Sequence, residues 1–258
     1  MLFKIKAYIQ FLLKSTNQYG VHSPIAYNFI TNCLYKKANS TKINVVNKLR
    51  KLIYCNQEII TVTDFGSGSR VFKNNQRKIA DIAKIAGMTK KKSAMLLNII
   101  EYLNVENMLE LGTSVGLGTA TLSIGNPNAQ IITLEGCKNT ANVAQHIFNK
   151  FNLNNIKLVV GNFNETLDHS LKNNLFDLIY VDGNHQKVST LQYFGQCIAY
   201  LQNDSLIIFD DINWSYEMQQ AWDEIKMHPK VALTIDTFSW GIAFIRSSHV
   251  KQHFKIRC

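Results

Sequence analysis

MLELGTSVGLGT, residues 108–119, is a short apolar run that breaks into a glycine-rich turn and then resumes as a helix-forming stretch. Glycines at such a turn let the backbone approach a ligand closely, and the helix that follows offers unpaired N–H groups. The next apolar run ends at Glu135, 17 residues after Gly118. A carboxylate there can accept hydrogen bonds from both hydroxyls of a ribose. A nicotinamide enzyme would place a third glycine where Thr121 stands, and it would not carry Glu110 ahead of the turn. An acid in that position suits a cationic ligand better than a pyrophosphate.

Outward from this loop, short apolar runs alternate with amphipathic stretches. The runs are MLEL (108–111), IITLE (131–135), IKLVV (156–160), FDLIYVD (176–182), SLIIFD (205–210), VALTID (231–236) and GIAFIR (241–246). The first five are separated by enough chain for a crossover helix, which is the rhythm of an α/β fold with a parallel sheet. The last two are separated only by TFSW, so they are expected to pair as an antiparallel hairpin at the sheet edge. Before residue 104 helical patterns dominate: residues 2–14, 25–35, 43–54 and a long run over 76–103 interrupted near Gly87.

The composition fits a chain with one sizeable core, since 46% of its 258 residues are hydrophobic. Lys4 and Lys6 break the opening apolar run, so it reads as an amphipathic helix rather than a signal peptide or a membrane span. Five scattered cysteines with no CxxC pair suggest neither a disulfide framework nor a zinc site, and a reducing, cytoplasmic setting is expected. The net charge of +10 is uneven. Residues 1–92 hold 17 Lys and Arg against Glu58, Asp64 and Asp81, whereas the rest is acidic overall. A basic arm for nucleic acid is one reading. The favoured one is compositional, because the lysines are not interleaved with aromatics and the chain is rich in Asn and Ile. No feature of the sequence speaks to oligomeric state.

The fourth and fifth runs end in YVDGNH (180–185) and IIFDDINW (207–214). In a doubly wound sheet both ends open on the crevice that holds the glycine loop, gathering Asp182, His185, Asp210 and Asp211. Carboxylates so gathered repel one another unless a cation compensates, and Mg2+ is the simplest candidate, with Asp182, Asp210 and Asp211 as its ligands. His185 could take a proton near neutral pH. The plainer alternatives are that the acids cap the following helices and that His185 bonds a backbone carbonyl. Trp214 and Tyr216 could wall an acceptor pocket or simply pack.

With these residues in place, the sequence resembles the class I S-adenosylmethionine-dependent methyltransferases over about residues 93–246. ELGTSVGLGT is similar to their first motif, LEG (134–136) to the ribose-binding second, and GNF (161–163) to the adenine-edge position, where the family usually carries an acid instead of Asn162. The resemblance implies cofactor contacts from Glu110, Gly112, Thr113, Ser114, Gly116, Gly118, Thr119, Glu135, Gly136, Asn162, Phe163 and Asp182. It also implies a Rossmann-like sheet of seven strands in the order 3-2-1-4-5-7-6, strand 7 antiparallel. The strand-end acids resemble those of the metal-dependent O-methyltransferases related to catechol and caffeoyl-CoA methylation, and of bacterial relatives with an Asp-Gly-x-His motif. In that likeness His185 stands where the catechol enzymes carry a catalytic lysine, and Asp211 stands where they carry Asn.

The stretch YGVHSPIAYNFI (19–30) resembles the N-terminal region of a group of bacterial methyltransferases. Residues 1–92 are expected to form a basic, mainly helical cap over the acceptor side of a methyltransferase domain at 93–258, with His22 and Arg70 pointing into the pocket. TVTDFGSGSR (61–70) also reads as strand, acid and glycine turn, but no acidic strand end follows it, so Gly66 and Gly68 are taken as a structural turn. The expected activity is O-methylation of a small-molecule hydroxyl. A macromolecule methyltransferase using the basic region is the runner-up, and a non-catalytic scaffold is disfavoured by the intact glycines and Glu135.

Overall fold

The computed structural model describes residues 2–66, 68, 72, 74–245 and 251–258. The chain divides into two compact units, one made of Met1–Thr31 with Leu171–Cys258 and one of Asn32–Ser170. Arg70, one of the residues expected to line the pocket, lies outside the described residues.

The first unit begins with α1 (Leu2–Lys14), a 3-10 turn at Gln18–Gly20 and α2 (Pro24–Phe29). Ser23 starts α2 by accepting the Ala26 N–H, and Pro24 fits the first helical turn because its missing N–H would find no partner there. His22, just ahead of this cap, is exposed. The chain leaves α2 through a π-helical turn over Ile30–Leu34.

The second unit holds α3 (Ser40–Tyr54), β1 (Ile59–Thr61), β2 (Gln76–Lys78), α4 (Ile79–Ile85), α5 (Lys90–Leu103), β3 (Asn107–Leu111), α6 (Leu117–Gly125), β4 (Gln130–Glu135), α7 (Lys138–Lys150), β5 (Ile156–Val160) and α8 (Phe163–Leu171). β3 pairs in parallel with β4, and β4 with β5. β1 and β2 form a separate antiparallel ribbon. The helices close tightly: a Cβ on Gly125 would meet Ile100 Cδ1 at 2.6 Å, so the Ile100 side chain of α5 packs directly on the backbone of α6. Arg50 on α3 is 2% exposed and donates to Ser93 Oγ at 2.8 Å and to the Met88 carbonyl, tying α3 to the start of α5.

The first unit resumes with β6 (Phe176–Val181), α9 (Lys187–Cys197), β7 (Leu201–Asp210), α10 (Tyr216–Met227), β8 (Val231–Asp236), β9 (Trp240–Ile245) and β10 (Gln252–Lys255). Its strands run β6-β7-β9-β8-β10, with β9 antiparallel to both β7 and β8. Every residue of β8 and β9 is buried, and each large aliphatic or aromatic side chain so buried contributes about 1.5–3 kcal/mol. Phe29 of α2 packs edge-on against Phe244 of β9 at 4.8 Å between centroids. Tyr8 and Phe11 of α1 lie 4.9 and 5.5 Å from the ring of Phe238, in the β8–β9 turn.

The fold is α/β and Rossmann-like, as expected. The second unit carries the order 3-2-1 and the first unit 4-5-7-6, the last strand of the chain's hairpin being the antiparallel one. One expectation is corrected. The β8–β9 hairpin does not form the edge, because β10 pairs in parallel outside β8. Its sequence, QHFK, is short and polar and has no apolar alternation to announce a strand. No disulfide joins the five cysteines. Among the described residues no helix is long and apolar enough to cross a membrane.

Candidate functional site

In the second unit the glycine turn between β3 and α6 is held to β4 by its own backbone: Gly112 and Thr113 N–H both donate to the Leu134 carbonyl, at 3.0 and 3.1 Å. Gly112 and Gly116 have φ of 107° and 86°, values open to glycine at little cost. A Cβ on Gly116 would come within 2.8 Å of the Phe148 ring, and one on Gly118 within 2.5 Å of Glu110 Oε1. The loop therefore requires glycine for its conformation and for its closeness to its neighbours.

Two acids flank the loop. Glu135 accepts the Ser114 N–H at 2.6 Å on one oxygen and the Cys137 N–H at 2.8 Å on the other. It is half-buried, its carboxyl raised by burial and lowered in part by those two amides. The Thr140 hydroxyl and the Gly136 N–H also favour its ionised form. Glu110 is 1% exposed, and its Oε2 accepts hydroxyls from Thr119 and, at 2.6 Å, Thr133. Its Oε1 is buried with no partner. Burial pushes the Glu110 carboxyl up to about 7, opposed by the two threonine hydroxyls and assisted by the charge of Glu135.

Thr113 and Thr119, expected at the cofactor, belong to this buried network instead: Thr113 Oγ1 lies 2.6 Å from Thr133 Oγ1, and Thr119 bonds Glu110. Asn162 uses its side chain to accept the Asn164 N–H at 3.0 Å, opening α8. Gly161 N–H donates to the Glu135 carbonyl at 2.9 Å, so the GNF stretch is brought beside the ribose acid. Phe163 is half-buried at the start of α8. One neighbour was missed from sequence. The Phe65 ring lies against Gly136, where a Cβ would meet it at 2.7 Å. The TVTDFGSGSR stretch had been read only as a turn; its aromatic was the available signal.

In the first unit, Asp182 and His185 follow β6. His185 Nε2 lies 3.7 Å from Asp182 Oδ1, and each side chain is 23% exposed. Asn184 and His185 take φ of 70° and 45°, a tight turn that folds the imidazole back toward the acid. The Trp214 ring is 6.0 Å from that of His185, and Lys4 Nζ of α1 sits 4.1 Å from the Trp214 ring centre. Nothing in the sequence pointed to Lys4. Tyr216 is 65% exposed at the start of α10, which Ser215 caps.

Asp210, at the end of β7, is 4% exposed. Its Oδ2 accepts the Tyr180 phenol at 2.5 Å and its Oδ1 the Asp211 N–H at 2.7 Å. Asp211 has φ 52°, and its carbonyl accepts the Trp214 N–H. Among the described residues no group of three or more His, Cys, Asp or Glu side chains is arranged to hold a metal ion. The expected Mg2+ ligands Asp182, Asp210 and Asp211 do not form such a group, and one hydrogen bond on each oxygen ties Asp210 to Tyr180 and to the Asp211 backbone. The second unit's residues do fit a nucleoside with a cationic tail: there is a hydroxyl-accepting carboxylate, glycines where a Cβ would fill the cradle, and a buried acid with an unused oxygen.

Residues 109–212 match a family described as "Methyltransferase domain". No curated protein matches the chain. Among solved structures, the chain is similar to an SAH-bound methyltransferase of Podospora anserina, with a TM-score of 0.59, 14% identity and coverage of 86% of this chain and 94% of that one. It is similar to an O-methyltransferase of Bacillus cereus in complex with SAH, with a TM-score of 0.56, 17% identity and coverage of 84% and 94%. The O-methyltransferase TomG of Streptomyces achromogenes, involved in tomaymycin synthesis and solved with SAM, gives a TM-score of 0.54, 14% identity and coverage of 62% and 82%. At these identities the likeness is one of fold. The domain match over residues 109–212 and the shared fold support a methyltransferase of the S-adenosylmethionine-dependent plan.

Proposed function

We propose that the chain transfers a methyl group from S-adenosylmethionine to a hydroxyl oxygen of a small molecule. The observation that carries the acceptor chemistry is the His185–Asp182 pair, 3.7 Å apart and partly exposed at the end of β6. Bound S-adenosylmethionine supplies an electrophilic methyl on a sulfonium. A hydroxyl is a poor nucleophile until it loses its proton, and His185 Nε2 is the group that takes it. Asp182 stabilises the imidazolium that results. Trp214 walls the acceptor beside His185. Transfer further requires acceptor oxygen, methyl and sulfur to be in line.

On the cofactor side, Glu135 accepts the ribose hydroxyls, Gly136, Asn162 and Phe163 border the adenine, and the turn carrying Gly112, Ser114, Gly116 and Gly118 admits the methionyl portion. Glu110 supplies negative charge toward that cationic tail. Thr113 and Thr119 act by holding Glu110 in place. Mg2+ at Asp182, Asp210 and Asp211 would lower the hydroxyl's pKa directly. The His185–Asp182 pair, and the lack of a gathered ligand group among the described residues, favour the histidine route. Residues 1–92 serve as the selectivity appendage of the domain, a role supported by Lys4 on Trp214 in one unit and Phe65 on Gly136 in the other.

The test is calorimetric titration of S-adenosylmethionine into wild type and His185→Gln, in EDTA and in Mg2+, followed by a screen of phenolic and sugar hydroxyls. The expected result is metal-independent cofactor binding by both proteins, with transfer only by wild type. Failure of wild type to bind the cofactor would overturn the proposal. Transfer that depends on Mg2+ would restore the metal route.

A further inference from the structure

We infer that Phe65, carried by the β1–β2 ribbon, is an aromatic wall of the cofactor site that stacks on the nucleoside base. The inference deepens the cofactor reading above and rests on it. The ring lies on Gly136, the residue after the ribose acid: a Cβ there would meet Phe65 Cδ2 at 2.7 Å and Cε2 at 3.1 Å. A base hangs directly from its ribose. It must therefore lie within about one residue's length of the carboxylate that holds the ribose hydroxyls. The GNF stretch is fixed to the same place by the 2.9 Å bond from Gly161 N–H to the Glu135 carbonyl.

The ring is held on a braced support. Asn139 Nδ2 donates to the Thr61 carbonyl at 2.7 Å, and the Thr63 N–H donates to Cys137 Sγ at 3.3 Å. These two contacts pin the segment before Phe65 to the start of α7. Asp64 accepts the Gly66 N–H at 3.0 Å and pairs with Arg77 at 3.7 Å, and the Arg77 guanidinium lies 4.8 Å from the Phe72 ring centre. The backbone on both sides of Phe65 is thus anchored by polar contacts, while the ring itself stays 51% exposed. A half-exposed ring on a braced stem beside a ribose acid is suited to a flat ligand face.

The experiment measures the Kd of S-adenosylhomocysteine for wild type, Phe65→Ala, Phe65→Leu and Phe65→Trp, together with the melting temperature of each. Loss of base stacking weakens binding roughly tenfold in Phe65→Ala. Leucine, which keeps apolar volume without a π face, is expected to lose most of the same affinity. Tryptophan is expected to retain it, and its emission, read against wild type, is expected to change on titration. The melting temperatures are expected to stay together, since the ring is half exposed. Equal Kd for wild type, alanine and leucine variants overturns the inference, as does full rescue by leucine. A wild type that does not bind S-adenosylhomocysteine overturns the cofactor reading itself, a result distinguishable from either.

Discussion

The Tyr180 phenol donates to Asp210 Oδ2 at 2.5 Å inside the first unit, where Tyr180 is fully buried and Asp210 is 4% exposed. The strand-end acid is thereby a structural acceptor. Tyr180→Phe leaves a desolvated carboxylate oxygen without its donor and is expected to cost about 1–3 kcal/mol of stability, measured by urea unfolding. Its effect on the rate of transfer should be far smaller than that of a change at His185. A large loss of turnover with unchanged stability would show that Asp210 acts in the chemistry.

His185→Gln keeps a polar side chain of similar reach but cannot carry a proton between acceptor and solvent. The turnover number is expected to fall about 10²- to 10⁴-fold, the range for a single general base. The affinity for S-adenosylhomocysteine should hold. Parallel losses of affinity and rate would mean that the loop after β6 shapes the cofactor site and does no proton transfer.

Glu110 gives the molecule a pH dependence of definite sign. Burial raises its carboxyl from the ordinary 4.5 to about 7, so the folded chain keeps this proton where the unfolded chain has released it. The stabilisation is complete below the unfolded value and is lost as pH rises through about 7. That loss is expected to be about 3 kcal/mol by linkage and to vanish in Glu110→Gln, comparing unfolding free energies of the two proteins from pH 4.5 to 8. A cationic cofactor favours the ionised form, so wild-type affinity should rise toward pH 7 while that of Glu110→Gln stays flat. Identical pH slopes for the two proteins would remove Glu110 from both roles.

Removing residues 2–14 takes away Lys4 from Trp214 and Tyr8 and Phe11 from Phe238. The expected outcome is a KM for the acceptor raised roughly tenfold, with cofactor affinity retained in the other unit. Lys4→Ala, which spares the aromatic packing, should reproduce part of that rise. An unchanged KM in both would dissociate α1 from acceptor selection.

The sequence was most readable where burial is two-sided. VALTID coincides with β8, because consecutive apolar residues bounded by turns leave little choice of register. The long helical run over 76–103 was misread at its start: Gln76–Lys78 forms β2, a three-residue polar ribbon strand whose pairing with β1 has no local signature. At the site, the glycine turn, Glu110, Glu135, Asp182 and His185 were legible from residue type and position. The engagement of Asp210 by Tyr180 was not, since a buried acid that accepts a phenol and one that binds a cation look alike in sequence. Lys4 and Phe65 reach their neighbours across 210 and 71 positions of chain respectively, beyond any local pattern.

Thr16 N–H donates to the Lys255 carbonyl at 2.9 Å and Arg257 N–H to the Thr16 carbonyl at 3.0 Å, so two segments about 240 residues apart are stitched together within one unit. On the ribosome this fixes an order of events. Residues 32–170 are continuous and can collapse as soon as they leave the exit tunnel, whereas residues 1–31 must wait for the strands that follow Leu171. The α1 rings of Tyr8 and Phe11, which pack on Phe238 in the finished unit, spend that interval without their partner. During synthesis α1 is therefore a segment that waits long for the surface it covers.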